Sequence, residues 1–386
     1  MMEYKLEDLF DLQMGKTPAR NNPEYWNSND HKWISIGDLT KCGKYISETK
    51  EYLSNSAIEE SGISCIPENT VVMSFKLSIG KIAITREPMY SNEAIMSFRD
   101  KHVTSILPDY IYYMFSGKNW DSGTNKAVMG KTLNKATLSK VTINLHALPE
   151  QMKIVEVLDE VGAILNCRRR ELQVLDDLIK ARFVEMFGDP VRNDRRWVTE
   201  TVENLCSDIY GGGTPSKSHP EYYEDGTIPW VSSKDMKSDV LYGSQIYINE
   251  LGVVNSTARI VPIDSVIMVI RSGILKHTLP VAINAVPVTV NQDLKVFIPG
   301  AKILTRFLAM QFKMHEPDIL TGVRAVTADN IEFEALKKRK LIVPPIHLQK
   351  EYVEFMEQID KSKVAVQKSL DETQLLFDSL MQKYFG

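Results

Sequence analysis

The chain has 386 residues, of which 43% are hydrophobic and 25% are charged, and its formal net charge is −4. This length predicts two or three domains, and this hydrophobic content is typical of folded cores rather than of disorder. The nearly neutral charge excludes a strongly basic nucleic-acid binder, so any nucleic-acid binding must come from local clusters or be helped by a partner. The N-terminus has no signal-peptide pattern, and no run approaches the roughly 20 apolar residues of a membrane span. We therefore expect a cytoplasmic protein with no membrane segment.

The residue types that usually carry catalysis or hold metals form no motif in this sequence. No histidine lies in zinc-ligand spacing, and no Ser-His-Asp or Cys-His set can be assembled. Gly15-Lys16-Thr17 lacks the earlier glycine that a phosphate-binding loop needs. The cysteines stand apart without a CxxC pair, and we interpret them as buried, reduced thiols: Cys42, Cys65, Cys167 and Cys206. We predict no catalytic, cofactor or metal site.

The first half of the chain divides into a globular part, residues 1–148, and a helix, residues 149–187. Short runs of branched apolar residues between turn residues predict strands at 71–75 and 82–84, and residues 108–115 predict a helix. Pro149 suits the first position of the long helix, and Gly188 followed by Pro190 predicts its end.

The second half has the same organisation. A polar linker, 188–197, suits an exposed joint, and it opens the second globular part, which we place at 188–345. Within it, residues 266–270 predict a strand and residues 303–313 a helix. A second long helix is predicted over residues 346–386.

The two halves are copies of one another at an offset of 197 residues. Thr17 returns as Thr214, and Trp33 as Trp230. Asn22-Pro23-Glu24-Tyr25 returns as His219-Pro220-Glu221-Tyr222, and we interpret this motif as a structural turn. A repeat of this length is domain-sized, since solenoid units run roughly 20–50 residues. The sequence therefore predicts a mixed α/β protein with a pseudo-twofold internal repeat of two tandem globular domains, each followed by a long helix.

Both predicted long helices carry apolar residues at alternating spacings of four and three, which is the heptad pattern of a coiled-coil seam. The seam comprises Leu158, Val161, Leu165, Leu172 and Leu175 in the first helix and Ile359, Val366, Leu370, Phe377 and Leu380 in the second. Matching seams predict that the helices pair as an antiparallel coiled coil of roughly 58 Å. The alternative is that each helix packs separately onto its own domain.

Polar and basic residues cluster at matching places in the predicted loops of the two halves. The first half contributes Lys16, Thr17, Arg20, Lys76, Ser78, Lys81, Asn125, Lys126 and Lys131. The second contributes Thr214, Ser216, Lys217, Arg271, Ser272, Lys276, Arg324 and Thr327. Such side chains bond phosphates, and arginine or asparagine can read base edges. Any one of these residues, taken alone, is equally typical of a solvated surface side chain. Their repetition at matching places in the two halves favours DNA binding. The glycines at 211–213 indicate either a flexible turn or a close approach to a phosphate backbone.

The order of these features resembles the specificity subunit of type I restriction–modification systems. The resemblance covers the whole chain and rests on the following residues: Leu148-Pro149-Glu150-Gln151, Pro344-Pro345 to Gln349, Trp33-Ile34 and Asp38, Trp230-Val231 and Asp235, Asn92, Asn291-Gln292, Phe187-Gly188-Asp189, and Phe385-Gly386. The Gly-Lys-Thr-Pro and Gly-Gly-Thr-Pro turns are also similar to the family's. One departure is that His347-Leu348 replace the Pro-Glu before Gln349.

This resemblance implies a non-catalytic, DNA-binding subunit of a larger complex. Each globular domain would be a target recognition domain that reads one half of a bipartite double-stranded DNA sequence, and the helix pair would set the gap between the halves. The resemblance also implies docking of modification subunits, expected to be two methyltransferases that bind S-adenosylmethionine, and of a restriction subunit that uses ATP. The competing hypotheses are a two-armed protein-interaction scaffold without DNA binding and an enzyme with an unrecognised site.

Overall fold

The computed structural model describes residues 1–76, 78–120, 125–127, 130–325 and 329–386, excluding the side chains of 125–127, 130–132 and 324–325. It contains two compact units. Unit 1 comprises Met1–Arg169 with Lys368–Gly386, and unit 2 comprises Arg170–Gln367. Each unit therefore combines one globular part with segments of both long helices.

Unit 1 is a mixed α/β fold. Its strands are β1 (Met2–Lys5), β2 (Phe10–Met14), β3 (His31–Ile34), β4 (Tyr45–Ile46), β5 (Glu51–Leu53), β6 (Val71–Ser74), β7 (Ile82–Thr85), β8 (Tyr90–Ser91), β9 (Ile95–Asp100), β10 (Asn125–Ala127), β11 (Gly130–Thr132) and β12 (Thr142–Leu145). Its helices are α1 (Leu6–Leu9), α2 (Ile36–Lys41), α3 (Asn55–Ser61), α4 (Pro108–Gly117), α5 (Lys135–Ser139) and the first part of α6 (Leu148–Phe187). Both predicted strands and the predicted helix are confirmed.

The main sheet of unit 1 has the strand order β2-β9-β6-β7-β4, and a smaller sheet has the order β5-β3-β8. The central strands β6 and β7 consist of buried residues, as their unbroken apolar runs predict. Helix α4 packs its buried aromatic side chains against this sheet, and the core also contains Ile154 and Leu158 of α6.

Unit 2 repeats this fold. Its strands are β13 (Thr199–Thr201), β14 (Cys206–Gly211), β15 (Ile228–Val231), β16 (Val240–Leu241), β17 (Tyr247–Ile248), β18 (Val266–Val269), β19 (Val281–Asn284), β20 (Thr289–Val290), β21 (Leu294–Pro299), β22 (Arg324–Ala325), β23 (Asp329–Asn330) and β24 (Lys340–Ile342). Its helices are α7 (Val202–Leu205), α8 (Glu250–Val254), α9 (Thr305–Met314), α10 (Glu316–Thr321), α11 (Phe333–Lys338) and the first part of α12 (Ile346–Phe385). The strand orders β14-β21-β18-β19-β16 and β17-β15-β20 match those of unit 1 position by position.

The repeated Asn/His-Pro-Glu-Tyr motif forms the same turn in both units. Pro23–Tyr25 and Pro220–Tyr222 are single turns of 3-10 helix. In unit 1 the Asn22 side chain accepts a hydrogen bond from the backbone of Glu24 at 3.2 Å. The interpretation of this motif as a structural turn is confirmed.

The helices α6 and α12 lie against each other and antiparallel within each unit. In unit 2 the Tyr352 hydroxyl donates to the Ile179 carbonyl at 3.0 Å, and Lys363 pairs with Asp176 at 2.6 Å. In unit 1 the Arg169 guanidinium donates to Gln374 at 3.2 Å. Pairing of the helices is confirmed, and the alternative that each helix packs only onto its own domain is wrong.

Among the predicted seam residues, Leu158, Val161, Leu165 and Val366 are buried, and Leu172, Leu175, Ile359, Leu370, Phe377 and Leu380 are half-buried. The heptad fails at the end of α6, where it would place Arg182 and Met186 in the seam. Phe183 and Phe187 are the fully buried residues there, and Phe183 stacks on Phe307 at 5.5 Å. Ile179, Phe183 and Phe187 are spaced by four residues, which departs from the heptad, because this segment packs into the core of unit 2 as well as onto α12.

A buried glutamine fastens the start of each long helix to the globular part that precedes it. The Gln151 side chain accepts from the Leu107 amide at 3.0 Å and donates to two backbone carbonyls at 3.1 and 2.9 Å. Gln349 repeats this arrangement, accepting from the Leu304 amide at 3.0 Å and donating to two carbonyls at 3.1 and 2.9 Å. Because every polar atom of these buried amides is bonded, each holds the helix start in one position.

The cysteines are free thiols, as predicted, but the prediction that they are buried is wrong. Cys65 and Cys167 are exposed, and Cys42 and Cys206 are half-buried. Cys167 lies on α6 outside the seam, which explains its exposure. Burial raises the pKa of the Cys206 thiol to about 12, so that group stays protonated at neutral pH.

None of the helices in the described part of the chain is both long and apolar enough to cross a membrane.

The buried His315 should make unit 2 sensitive to acid. Its side chain is 2% exposed, and neither ring nitrogen has a hydrogen-bond partner among the described residues. Burial, reinforced by the charge of Arg339, lowers its pKa to about 4. An unfolded histidine titrates near 6.5, so the stability contributed by the neutral ring is complete above pH 6.5. It is lost as the pH falls toward 4, by about 3 kcal/mol in all.

Chemical denaturation of the wild-type chain and of His315→Leu between pH 7.5 and 4 measures this effect. The free energy of unfolding of unit 2 should fall more steeply with acid in the wild type than in His315→Leu, where the remaining slope comes from other groups. Equal slopes in the two proteins would contradict the prediction.

Candidate nucleic-acid interface

In unit 1 the turn that follows β2 is held tightly against the strand β8. A Cβ built on Gly15 would lie 2.1 Å from the Ser91 carbonyl oxygen, so only glycine fits there. The Trp33 indole donates to the Lys16 carbonyl at 3.1 Å, and the Thr17 hydroxyl donates to the Glu93 carboxylate. The turn is therefore fixed to the loop that connects β8 and β9.

Unit 2 builds the same turn from the equivalent residues. A Cβ on Gly212 would lie 1.8 Å from the Val290 carbonyl oxygen. The Trp230 indole donates to the Gly213 carbonyl at 2.9 Å, and the Thr214 hydroxyl donates to the Gln292 side chain. Packing of the glycine backbone against β20 explains Gly212, for which the sequence indicates either a flexible turn or a close approach to a phosphate backbone.

A second loop of unit 1 joins this turn. Residues 75–81 connect β6 to β7, and the Phe75 amide donates to the Ala94 carbonyl at 2.9 Å, beside Glu93. The hydrogen bond from Thr17, supported by the charges of Lys76 and Arg20, lowers the pKa of Glu93. Two of the predicted clusters are thus brought together around one carboxylate. We call residues 15–20, 75–76, 78–81 and 91–94 the loop edge of unit 1.

The corresponding loop of unit 2 connects β18 to β19. Arg271 pairs with Asp293 at 2.6 Å, next to Gln292, and Lys276 lies 3.7 Å from Asp329. The Ser272 amide donates to the Asp329 carbonyl at 3.1 Å, which ties the loop to β23. We call residues 212–218, 270–279 and 290–293 the loop edge of unit 2. Its scaffold is that of unit 1, but its charged side chains differ.

Some predicted contact residues are already engaged within the protein. Arg20 pairs with Glu51, and its guanidinium lies 3.8 and 4.7 Å from the ring centroids of Trp26 and Trp33. The Lys16 ammonium donates to the Ser61 carbonyl at 2.5 Å. These contacts give Arg20 and Lys16 a role in holding the turn.

Other cations of the loop edges are accessible from solvent. The side chains of Arg271 and Lys276 are 47% and 64% exposed, whereas those of their partners Asp293 and Asp329 are 24% and 8% exposed. A phosphate or a base edge can therefore reach both cations. Lys81 and Lys217 are exposed, Ser216 bonds Ser218 at 2.7 Å, and the backbone carbonyl of Ser78 accepts a hydrogen bond from Ser74.

The third pair of predicted clusters lies at two small hairpins. Thr327 lies outside the described residues, as do the side chains of Asn125, Lys126, Lys131 and Arg324. The hairpin backbones β10–β11 and β22–β23 adjoin the loop edges. Leu133, just after β11, donates to the Phe75 carbonyl at 3.0 Å, and Arg271 forms a bridge with Asn330.

The acidic residue at the centre of each edge was not predicted from the sequence: Glu93 in unit 1 and Asp293 in unit 2. The signal was present, because Asn92 and Asn291 were already paired between the halves, and Glu93 and Asp293 lie one and two residues after them. Within the described part of the chain, no group of three or more His, Cys, Asp or Glu side chains could hold a metal ion.

The two units share one strand order, one buried glutamine at the start of the long helix and one loop scaffold. The side chains on their loop edges differ. These features together define a two-module recognition protein. A family model described as the type I restriction modification DNA specificity domain matches residues 1–175 and 195–373. The chain belongs to this family. It is a specificity subunit, a component that recognises DNA targets, and the catalysis of such systems resides in other subunits.

Curated relatives agree with this assignment. The chain is 26% identical over 364 residues to the EcoR124I/EcoR124II specificity subunit of Escherichia coli, covering 85% of this chain and 86% of that one. It is 21% identical over 401 residues to the MjaIX specificity subunit of Methanocaldococcus jannaschii, covering 98% and 91%.

Solved structures share the fold. The S subunit of a type I restriction–modification system from M. genitalium matches with a TM-score of 0.55 at 12% identity, covering 100% of this chain and 96% of that one. A chain from a structural study of complex assembly in the type I R-M system matches with a TM-score of 0.58 at 15% identity, covering 100% and 97%.

Proposed function

We propose that each unit recognises one half of a bipartite double-stranded DNA sequence through its loop edge, as a subunit of a cytoplasmic complex. The observation that carries this proposal is the repetition of one rigid loop scaffold with different edge residues. Unit 1 presents Lys76 and Glu93 where unit 2 presents Arg271 and Gln292. Glutamate accepts from cytosine, glutamine pairs with adenine, and arginine or lysine with guanine. Equal scaffolds with unequal donors and acceptors suit two different half-sites.

The charge of the chain supports recognition within an assembly. With a net charge of −4, this subunit alone neutralises few phosphates, so its own binding should be weak and sensitive to salt. We propose that modification subunits supply further positively charged contacts to the DNA phosphates. The family resemblance favours two methyltransferases and a restriction subunit as partners.

The exposed aliphatic residues on the long helices support such docking. Val174 and Leu178 of α6 are exposed in unit 2, although a solvated helix face is normally polar. If this face binds a modification subunit, Leu178→Asp should reduce co-purification with that subunit, whereas Lys180→Asp, at an exposed position on the same helix, should do so less. Native mass spectrometry of the complex would give the stoichiometry. Equal assembly of both variants would place the docking surface elsewhere.

Domain exchange tests independent reading. Replacing residues 1–148 with those of a relative leaves α12 intact and keeps nearly all of α6. Methylome sequencing of a host that carries the exchanged system should reveal a new first half-site and an unchanged second one. If both halves change, independent reading by the two units is wrong.

The alternative is a scaffold that binds proteins but not DNA. Duplex binding by the assembled complex, measured between 50 and 200 mM salt, separates the two functions. Affinity that falls steeply with salt supports DNA recognition, and absence of duplex binding with normal assembly of partners supports the scaffold.

A further inference from the structure

The loop of unit 2 between β18 and β19 holds an aliphatic side chain out toward solvent. Its centre is a 3-10 helix, Gly273–Lys276. Within it Leu275 is 1% exposed and packs into the core of unit 2, whereas its neighbour Ile274 is 37% exposed. The short helix thus buries one branched aliphatic residue and presents the other.

This presentation is held rigidly. The carbonyl of Ile274 accepts from the amides of His277 at 2.9 Å and of Thr278 at 3.1 Å. At the ends of the loop, the Ser272 amide donates to the Asp329 carbonyl at 3.1 Å, and the Leu279 amide donates to the Glu316 carboxylate at 2.7 Å. A residue fixed in this way loses little conformational entropy when it meets a ligand.

The surroundings of Ile274 match the chemistry of a DNA groove. Arg271 and Lys276 flank it on the same loop, and each has an exposed cationic side chain that is paired with a carboxylate. A Cβ added at Gly273 would meet no atom within 4 Å, so the space beside Ile274 is open. In the major groove the apolar group among polar base edges is the C5-methyl of thymine, which aliphatic side chains contact.

We propose that Ile274 is a specificity-determining residue that contacts the C5-methyl group of a thymine in the half-site read by unit 2. The inference rests on the proposed function and names one chemical feature of its substrate. The flanking Arg271 and Lys276 reach base edges or phosphates, and the aliphatic side chain excludes water from the methyl group between them.

Exposure of an isoleucine is not by itself evidence that the side chain contacts DNA. A second exposed isoleucine of unit 2, Ile263, therefore serves as the control for Ile274. Ile263 is 55% exposed but lies before β18, at the opposite end of the strand from Ile274. Both substitutions to alanine remove the same atoms from an exposed isoleucine, and only one of them lies on the loop edge.

The experiment uses the full-length chain assembled with its modification subunits and duplexes of the sequence that the system methylates. Thymines of the second half-site are replaced singly by uracil, which lacks the methyl group. For the wild type, one replacement should weaken binding about four-fold, the effect of one buried methyl group. Ile274→Ala should bind thymine DNA more weakly and lose this discrimination, whereas Ile263→Ala should behave as the wild type.

Full discrimination against uracil by Ile274→Ala would overturn the inference. So would a wild type that tolerates every replacement, or a second half-site without an A·T pair. In those cases the wild type still binds its target, and the proposed function stands. If the wild-type assembly binds no duplex at all, both the proposed function and this inference are wrong.

Discussion

Removing the last ten residues, 377–386, should unfold unit 1 and leave unit 2 folded, although these residues lie more than two hundred positions from most of unit 1. The segment packs against the core of unit 1 through Phe377, Leu380, Met381, Tyr384 and Phe385. Phe385 contacts Tyr110 at a centroid distance of 5.3 Å, and Phe377 contacts Tyr113 at 6.3 Å. Loss of five partly buried apolar side chains should cost on the order of 5 kcal/mol or more, which is comparable to the stability of a whole domain.

Hydrogen exchange resolved by residue measures this outcome. Amides of β6, β7 and β9 should lose protection in the truncated chain, while those of β18, β19 and β21 should keep it. The control is Leu375→Ser with Leu376→Ser, which alters two exposed residues of the same helix. Equal loss of protection in both units would contradict the division into two compact units.

The substitutions Gly15→Ala and Gly212→Ala should each disable recognition of one half-site. The added methyl group would lie 2.1 Å from the Ser91 carbonyl oxygen in unit 1 and 1.8 Å from the Val290 carbonyl oxygen in unit 2. Both obstacles are backbone atoms of strands, so the turn must move, at a cost of about 3 kcal/mol or more. The displaced turn carries Thr17 or Thr214 out of contact with the loop beside it.

Matched controls exist in both units. A Cβ on Gly43 or on Gly273 would meet no atom within 4 Å, so Gly43→Ala and Gly273→Ala should retain the melting temperature of the wild type. Methylome sequencing of hosts carrying Gly15→Ala should show relaxed or lost recognition of the first half-site only, and Gly212→Ala of the second only. A melting temperature unchanged by Gly212→Ala would show that the turn is not held as described.

Elements with strong periodicity could be predicted from the sequence to within a residue or two. The heptads and flanking prolines place both long helices, and unbroken apolar runs place β6, β7 and β18. The 197-residue offset predicts that the two units share one fold, because equivalent turn and core residues impose equivalent local structure.

What the sequence could not predict depends on tertiary packing. A heptad pattern does not reveal that α6 ends in the core of unit 2, where Phe183 and Phe187 replace the seam residues. The basic and polar clusters of the loop edges could be predicted from the sequence, because their residue types are typical of DNA contacts. Whether Arg20 faces solvent or lies over two tryptophans depends on neighbours brought together only by folding.

The membership of residues 368–386 in unit 1 imposes an order on biosynthesis. Unit 2 is encoded between the two segments of unit 1, so its last residue is synthesised before the segment that completes unit 1. At translation rates of roughly 5–20 residues per second, the first 169 residues wait on the order of 10–40 s for their missing helix segment. During that interval the apolar surface around Tyr110 and Tyr113 lacks its final cover. The N-terminal part of the nascent chain therefore waits longest with an incomplete core, and a molecular chaperone that covers its apolar surface would protect it during that interval.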